Sequence, residues 1–394
     1  MKAMRQIYLD NNATTRVAPE VLDVMLPCYQ TAYGNASSVH AFGQEAKGLL
    51  DNARQQLAHL LNAEANEIVF TSGGTESDNL AIRGVAEASP RSRKHIITTR
   101  VEHHAVLHTC QALQKSGIDV TYLPVNSEGL VDPQDVRKAI TPDTILISVM
   151  HSNNEIGTTQ ALKEIGQIAL EHDVYFHTDA VQAAGKLPLD VNDLNADLLS
   201  VAGHKFHAPK GVGVLYVRKG TRLRPLFFGG AHERNRRAGT ENVPQIVGFG
   251  AAAELAGNGL EDRARSIGEL RDYFEHEICR RIPEVALNGS RTLRISNTSN
   301  LRFERADSES LVINLDLAGV ACSTGSACAS GSIEPSHVLL ALGLPVEQAF
   351  SSVRFSLSRY TTRDEIDEVL GVLPGVVSRC REAAPVNTRL HAKV

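Results

Sequence analysis

The sequence predicts an α/β protein with a mainly parallel sheet, followed by a smaller α+β unit. Short runs rich in β-formers alternate with amphipathic stretches through the first two thirds of the chain. Near Gly257-Asn258-Gly259 the rhythm changes to a long helical pattern and then shorter strands. Length adds a third constraint: 394 residues, 42% of them hydrophobic, can bury roughly three quarters of the unfolded surface, so folding needs neither disulfide nor metal.

The expected strands of the first unit cover residues 7–10, 67–70, 95–99, 120–125, 144–150, 174–177, 197–201 and 211–217. Between them, residues 76–89 read as a helix, and Leu162, Ile165, Ala169 and His172 fall on one helical face. Beyond residue 260, Ile267, Leu270, Phe274 and Ile278 share a face of a long helix, and residues 294–303 and 311–317 read as strands. Alternation at 353–359 puts Arg354 and Ser356 on one strand face and Phe355 and Leu357 on the other. Residues 383–394 carry no periodicity and read as a tail.

A net charge of -5 argues against a dedicated nucleic-acid binder. No apolar run approaches the roughly 18 residues of a membrane helix. The first fifteen residues are polar and lack a signal-peptide core, so the expected compartment is cytoplasmic. Six scattered cysteines suggest neither a disulfide framework nor a zinc site. Cys28, Cys110, Cys279, Cys322 and Cys380 are expected to pack in the interior. Cys328 lies in a run of small residues, 321–331, expected to form an exposed mobile loop, where a free thiol is a liability unless it is used.

Asp179 ends an apolar strand, where open α/β sheets bind ligands. There it can hold a protonated ring nitrogen or simply cap a helix. Lys205, in Gly203-His204-Lys205, follows another strand and is either a desolvated nucleophilic amine or part of a basic turn. The turn Thr71-Ser72-Gly73-Gly74-Thr75-Glu76 precedes a helix, a geometry suited to phosphate but without the Gly-Lys-Ser/Thr ending of a P-loop. Arg354 can grip a carboxylate or face water. Arg234–Arg237 is a short basic stretch, read as a loop near an anion or a solvated turn.

Together these groups form the set a pyridoxal-phosphate enzyme needs, and eight ordered motifs sharpen the match. They are Tyr8-Leu9-Asp10-Asn11-Asn12-Ala13-Thr14-Thr15, Thr71-Ser72-Gly73-Gly74-Thr75-Glu76-Ser77, Asn153-Asn154-Glu155-Ile156-Gly157-Thr158, His177-Thr178-Asp179-Ala180-Val181-Gln182, Gly203-His204-Lys205, Arg236-Arg237-Ala238-Gly239-Thr240-Glu241-Asn242, Gly325-Ser326-Ala327-Cys328 and Arg354-Phe355-Ser356-Leu357. From Tyr8 to about Ile366 the chain resembles the cysteine desulfurases of the NifS/IscS family, the NifS branch most closely.

That resemblance implies fold type I: a large domain with a mainly parallel seven-stranded sheet and a smaller α+β C-terminal domain. It divides the chain into an N-terminal segment, 1–14, packed with the small domain; a pyridoxal-phosphate domain, 15–259; a small domain, 260–382, with the cysteine loop; and a tail, 383–394. Lys205 would hold pyridoxal 5'-phosphate as a Schiff base and move the substrate's α-proton. Asp179 would pair with the ring nitrogen, Gln182 with the ring hydroxyl oxygen, and His103 would stack on the ring and move protons. Gly74, Thr75 and His204 would hold the phosphate, and Thr240 would reach the phosphate site of a second subunit in a homodimer. Asn154 and Arg354, with Asn12 and Ala13, would hold the carboxylate of L-cysteine, and Asn154 would also touch the cofactor. Cys328 would accept the sulfur as a persulfide while L-alanine leaves; no metal contact is expected beyond Cys328 toward an iron–sulfur cluster.

The implied service is sulfur for iron–sulfur clusters, extending to nitrogenase, with a scaffold of the NifU/IscU type as acceptor and neither nucleic acid nor membrane as partner. A selenocysteine lyase or another fold type I lyase is the competing enzyme, and a sulfur-relay or scaffold subunit the competing non-enzyme. Ala202 departs from the serine of IscS-type members and removes one side-chain contact to phosphate. Ala36 stands where proline is usual, and the tail does not match the IscS tail that docks the scaffold.

Overall fold

The computed structural model describes residues 6–324 and 334–383. A two-residue strand β1 (Ile7–Tyr8) precedes a seven-stranded sheet. Its strands are β2 (Ile68–Thr71), β3 (His95–Thr99), β4 (Asp119–Leu123), β5 (Thr144–Ser148), β6 (Tyr175–Asp179), β7 (Leu198–Ala202) and β8 (Gly213–Val217). They lie in the order β2-β8-β7-β6-β5-β3-β4, and only β8 runs against the others.

Helices cover both faces: α1 (Pro19–Gln30), α2 (Ala41–Leu61), α3 (Gly74–Ala88), α4 (His104–Lys115), α5 (Pro133–Ala139), α6 (Leu162–Glu171) and α7 (Val243–Gly257). This explains why the strands read as unbroken apolar runs: β2, β3, β5, β7 and β8 are buried along their whole length. Alternate residues feed different cores. Ile68, Phe70, Val214 and Tyr216 pack with α1, α2, α6 and α7, while Val69, Leu215 and Val217 pack with α3 and α4. Leu162, Ile165 and Ala169 face the core, but His172 only caps the end of α6 and is exposed.

The remaining chain forms α8 (Leu260–Arg281), β9 (Val285–Leu287), β10 (Thr298–Phe303), α9 (Ser308–Leu317), β11 (Val320–Ala321), α10 (His337–Ala341), α11 (Val346–Ala349), β12 (Ser352–Ser356) and α12 (Arg363–Ala383). Strands β12, β10 and β9 make an antiparallel sheet. Phe274 and Ile278 of α8 pack with Leu301, Phe355 and the buried face of α12 in a separate core. Phe274 meets Phe355 edge-on at 5.2 Å; burying such a side chain stabilises by roughly 1.5–3 kcal/mol. Ile7 and Leu9 belong to this core, and β1 pairs in parallel with β11.

Residues 311–317, expected as a strand, belong to α9. The Asp307 carboxylate accepts the Ser310 N–H at 2.7 Å, and Leu311 and Leu315 bury one helical turn apart while Ile313 and Leu317 face outward. A capped helix and a strand compete for such an apolar run, and the cap decides. Cys279 is also corrected: it is exposed, because it lies one position past Ile278 on α8, whereas Cys28, Cys110, Cys322 and Cys380 are buried. Helix α12 extends to Ala383, into the expected tail; residues 384–394 lie outside the described residues.

Candidate functional site

At the carboxyl edge of the sheet opens a cavity of about 400 Å³. Asn12, Ala13, Gly74, Thr75, His103, Asn154, Asp179, Gln182, His204, Lys205 and Arg354 all line it. They arrive from seven places: the segment after β1, the start of α3, the loops after β3 and β5, the ends of β6 and β7, and strand β12.

The start of α3 depends on glycine. Gly73 takes φ 154°, and a Cβ on Gly213 of β8 would fall 2.6 Å from the Gly73 Cα, so two glycines let strand and turn touch. Gly73 is the N-cap and offers no side chain. The first-turn N–H groups of a 15-residue helix are thereby left without side-chain caps beside Gly74 and Thr75.

Lys205 reaches the N-terminal segment. Its Nζ donates to the carbonyls of Asn12 and Ala13 at 2.6 and 2.8 Å. Asn12 is fixed in turn: its Nδ2 donates to Thr298 Oγ1 at 2.8 Å and to the Asn154 carbonyl at 3.1 Å. Gln182 Nε2 donates to the same Asn12 carbonyl at 3.0 Å.

Beneath the cavity lies a dry polar layer. Asp179 accepts the Val181 N–H at 2.9 Å, so it braces the turn after β6 and lines the cavity as well. Burial pushes its pKa up to about 6, against the pull of that N–H and of Lys205. Asp78 of α3 stands close by: one ligating atom each of Asp78, Asp179 and His103 lies within 4.8 Å of the others. Burial, then the Asp179 charge, raises the Asp78 pKa well above the carboxylate range, and its Oδ1 has no hydrogen-bond partner. His177 Nε2 is 3.6 Å from that oxygen, yet this is no ion pair, since burial pushes His177 down to about 3. The neutral ring is held between the Ser148 and Ser200 hydroxyls. Burial likewise pushes His103 and His204 down to about 4, so both are neutral imidazoles at pH 7.

On the opposite wall, Arg354 donates from Nη2 to Asp10 at 2.7 Å and from Nη1 to the Asn154 carbonyl at 3.0 Å. Its buried Nε has no partner. Through its backbone Arg354 bridges Ser323.

Two expected residues are not in the cavity. Thr240 is exposed and lies apart from it. Cys328 falls outside the described residues. Sequence reasoning missed Asp78, His177 and Lys186. Asp78 reads as one more helix residue, and nothing local reveals that its oxygen meets Asp179. Among the described residues, no helix is long and apolar enough to cross a membrane.

Comparison with known proteins agrees with this architecture. Residues 7–369 match the aminotransferase class-V family. The chain is 51% identical over 381 residues to a cysteine desulfurase IscS of Dictyoglomus turgidum, covering 97% of each. Among solved structures, a NifS-like protein superposes with a TM-score of 0.90 at 37% identity, over 95% of this chain and all of the other. SspA in complex with cysteine superposes with a TM-score of 0.81 at 40% identity, over 90% of this chain and all of the other. The chain belongs to the aminotransferase class-V family of pyridoxal-phosphate enzymes, on the fold type I architecture.

Proposed function

We propose that this chain is a pyridoxal-phosphate-dependent cysteine desulfurase, which moves sulfur from L-cysteine to Cys328 and releases L-alanine. The observation that carries this is one cavity joining Lys205, two buried acids, a neutral imidazole and an open helix N-terminus. The residues fit the cofactor. A buried carboxylate pair with an orphaned oxygen, beside imidazoles that burial keeps neutral, suits a cation such as a protonated ring nitrogen. The uncapped start of α3 suits a phosphate.

When bound, pyridoxal phosphate supplies an electron sink for the substrate's α-carbon. Asp179 would keep the ring nitrogen protonated, and Gln182 would donate toward the ring oxygen. His103 would shield the ring from water and, being neutral, can take a proton. Gly74 and Thr75 with His204 would hold the phosphate. Ala202 offers no hydroxyl there. Lys205 would bind the cofactor and can take the α-proton. Arg354, through its unpartnered Nε, holds the substrate carboxylate with Asn154, Asn12 and Ala13. The Cys328 thiolate then attacks the substrate sulfur: an S–S bond forms, the C–S bond breaks, and its electron pair passes to carbon, which is protonated to alanine. Support for Cys328 comes from its flanks. Before it in the chain, Ser323 bridges Arg354, and after it α10 carries His337, bonded to the Glu102 carbonyl beside His103.

The wider reading follows from the same assignment. Sulfur goes to iron–sulfur cluster assembly, through a scaffold of the NifU/IscU type and, in its narrowest form, for nitrogenase, in the cytoplasm. A homodimer is supported by the exposed Leu22, Leu26 and Tyr29, one stripe of α1, and by exposed Phe228; Thr240 then serves the second subunit's phosphate site. The division at residues 15, 260 and 383 is supported by the separate core that Ile7 and Leu9 share with the C-terminal helices.

Alanine released from L-cysteine, with and without a thiol reductant, tests the reading. Sustained release that rises with reductant is expected, and Cys328→Ala is expected to keep bound cofactor while losing that release. No alanine from a cofactor-loaded protein overturns the activity; near-normal release by Cys328→Ala overturns the acceptor.

A further inference from the structure

Lys186 follows Asp179 in the turn after β6, on the far side of Lys205 from the main cavity. Both lysines line a second, smaller cavity of about 50 Å³. The side chain is partly exposed along its length, but its ammonium is enclosed: burial, then the charges of Lys205 and Arg354, holds its pKa well below the usual lysine value. An enclosed lysine nitrogen is costly, and here both of its hydrogen-bond partners lead into the site. Nζ donates to Gln182 Oε1 at 2.7 Å and to Asn12 Oδ1 at 3.3 Å. Gln182 Nε2 donates to the Asn12 carbonyl, which also receives the Lys205 ammonium.

We propose that Lys186 is a positioning residue that locks the Gln182 amide, so that its N–H edge rather than its carbonyl faces the cofactor cavity. As an ammonium lysine has only donors, and as a neutral amine it still keeps two N–H groups beside one lone pair. By donating to Gln182 Oε1 it holds that oxygen on its own side, while Nε2 donates to the Asn12 carbonyl that lines the cavity. Asn12 Oδ1 is shared with Asn297 Nδ2 at 3.0 Å, so the same lysine ties the N-terminal segment to the turn that carries Gln182. Without it the bond from Nε2 to the Asn12 carbonyl remains but the donor to Oε1 is lost, so a flip that turns a carbonyl toward an oxygen of the ligand, which is repulsive, is opposed by one of these hydrogen bonds rather than two. The proposal rests on the cofactor reading above and adds a residue that the motifs did not single out.

Lys186→Met keeps length and removes the donor. In the cofactor-loaded protein it should shift the visible absorbance band and speed loss of cofactor on dialysis about tenfold. The deciding arm is a cycle with Gln182→Ala: if Lys186 works through Gln182, the double variant loses cofactor no faster than Gln182→Ala alone. Additive losses, or a Lys186→Met protein with unchanged band and retention, would overturn the proposal. Lys186→Gln, which restores a donor, should recover most of the retention; it also serves if the Met variant fails to fold. A wild-type protein that binds no pyridoxal phosphate would instead overturn the cofactor reading.

Discussion

Asp179 and Arg354 stand on opposite walls of one cavity and are held by different means. Asp179 ends a strand in the middle of a mainly parallel sheet, and its surroundings come from that sheet: Ser200 on the paired strand β7, His177 two residues earlier on its own strand, Asp78 on the covering helix. Arg354 sits where three distant segments meet, fixed by Asp10, the Asn154 carbonyl and the Ser323 backbone. The floor is charged against its preference, because burial drives its carboxyls toward neutrality. The wall holds a cation already compensated by Asp10. This difference separates tasks: changes on the floor should act on the cofactor, and changes on the wall on the substrate.

The largest expected effect is at the junction of the two. Lys205→Ala should abolish the visible absorbance of bound cofactor and cut alanine release at least about a thousandfold; an unchanged spectrum would refute the covalent assignment. Next comes Asp179→Asn, expected to lower kcat about a hundredfold with little change in KM. It also has a signature in the cofactor-free protein. Because folding raises the Asp179 pKa from 3.8 to about 6, the folded state binds more protons across that window, and stability falls as pH rises through it. Asparagine removes that loss, so the variant's Tm above pH 6 should exceed the wild type's by a few degrees, at roughly 1–2 °C per kcal/mol for a chain this long. A lower Tm would mean that the carboxylate stabilises the empty fold, contrary to the floor as described.

On the wall, Arg354→Lys should raise KM for L-cysteine about tenfold or more and leave the cofactor spectrum alone, since lysine cannot replace a planar two-point donor. A spectral change of the same size would erase the distinction between wall and floor. The smallest effect is expected from Ala202→Ser. Ala202 ends β7, and a Cβ placed on Gly74 would lie 3.6 Å from its methyl, so an added hydroxyl stands beside the start of α3. Cofactor binding should tighten a few-fold, as one added hydrogen bond allows; weaker binding would show that the phosphate lies elsewhere.

Much of this was readable in the sequence for physical reasons. Strand interiors buried on both faces must be apolar, so β3, β5 and β8 stood out. Lys205, Asp179 and Arg354 were legible because each interrupts or ends such a run. What escaped depends on contacts between remote segments. Lys186 and Asp78 have nothing unusual beside them in the chain; their meaning lies in Gln182, Asn12 and Asp179. The buried pair of Arg54 on α2 with Glu233, a bidentate contact at 2.7 and 2.8 Å, was hidden for the same reason. Residues 311–317 failed differently, since an apolar run fits either period until its cap is weighed.

Asn12 has a consequence for how the protein is made. It is synthesised long before Asn297, Thr298 and Ser356, yet its side chain is held by the first two and its N–H by Ser356 Oγ. The carbonyl that receives Lys205 is therefore steadied partly by Gln182 and Asn154 and partly by chain synthesised much later. A nascent polypeptide stopped after the large sheet would own the lysine, the acid and the helix start, but only part of the brace that aims them. Firm cofactor binding should accordingly be completed late in biosynthesis, and messages truncated before residue 297 should yield protein that loses the colour of bound cofactor on dialysis.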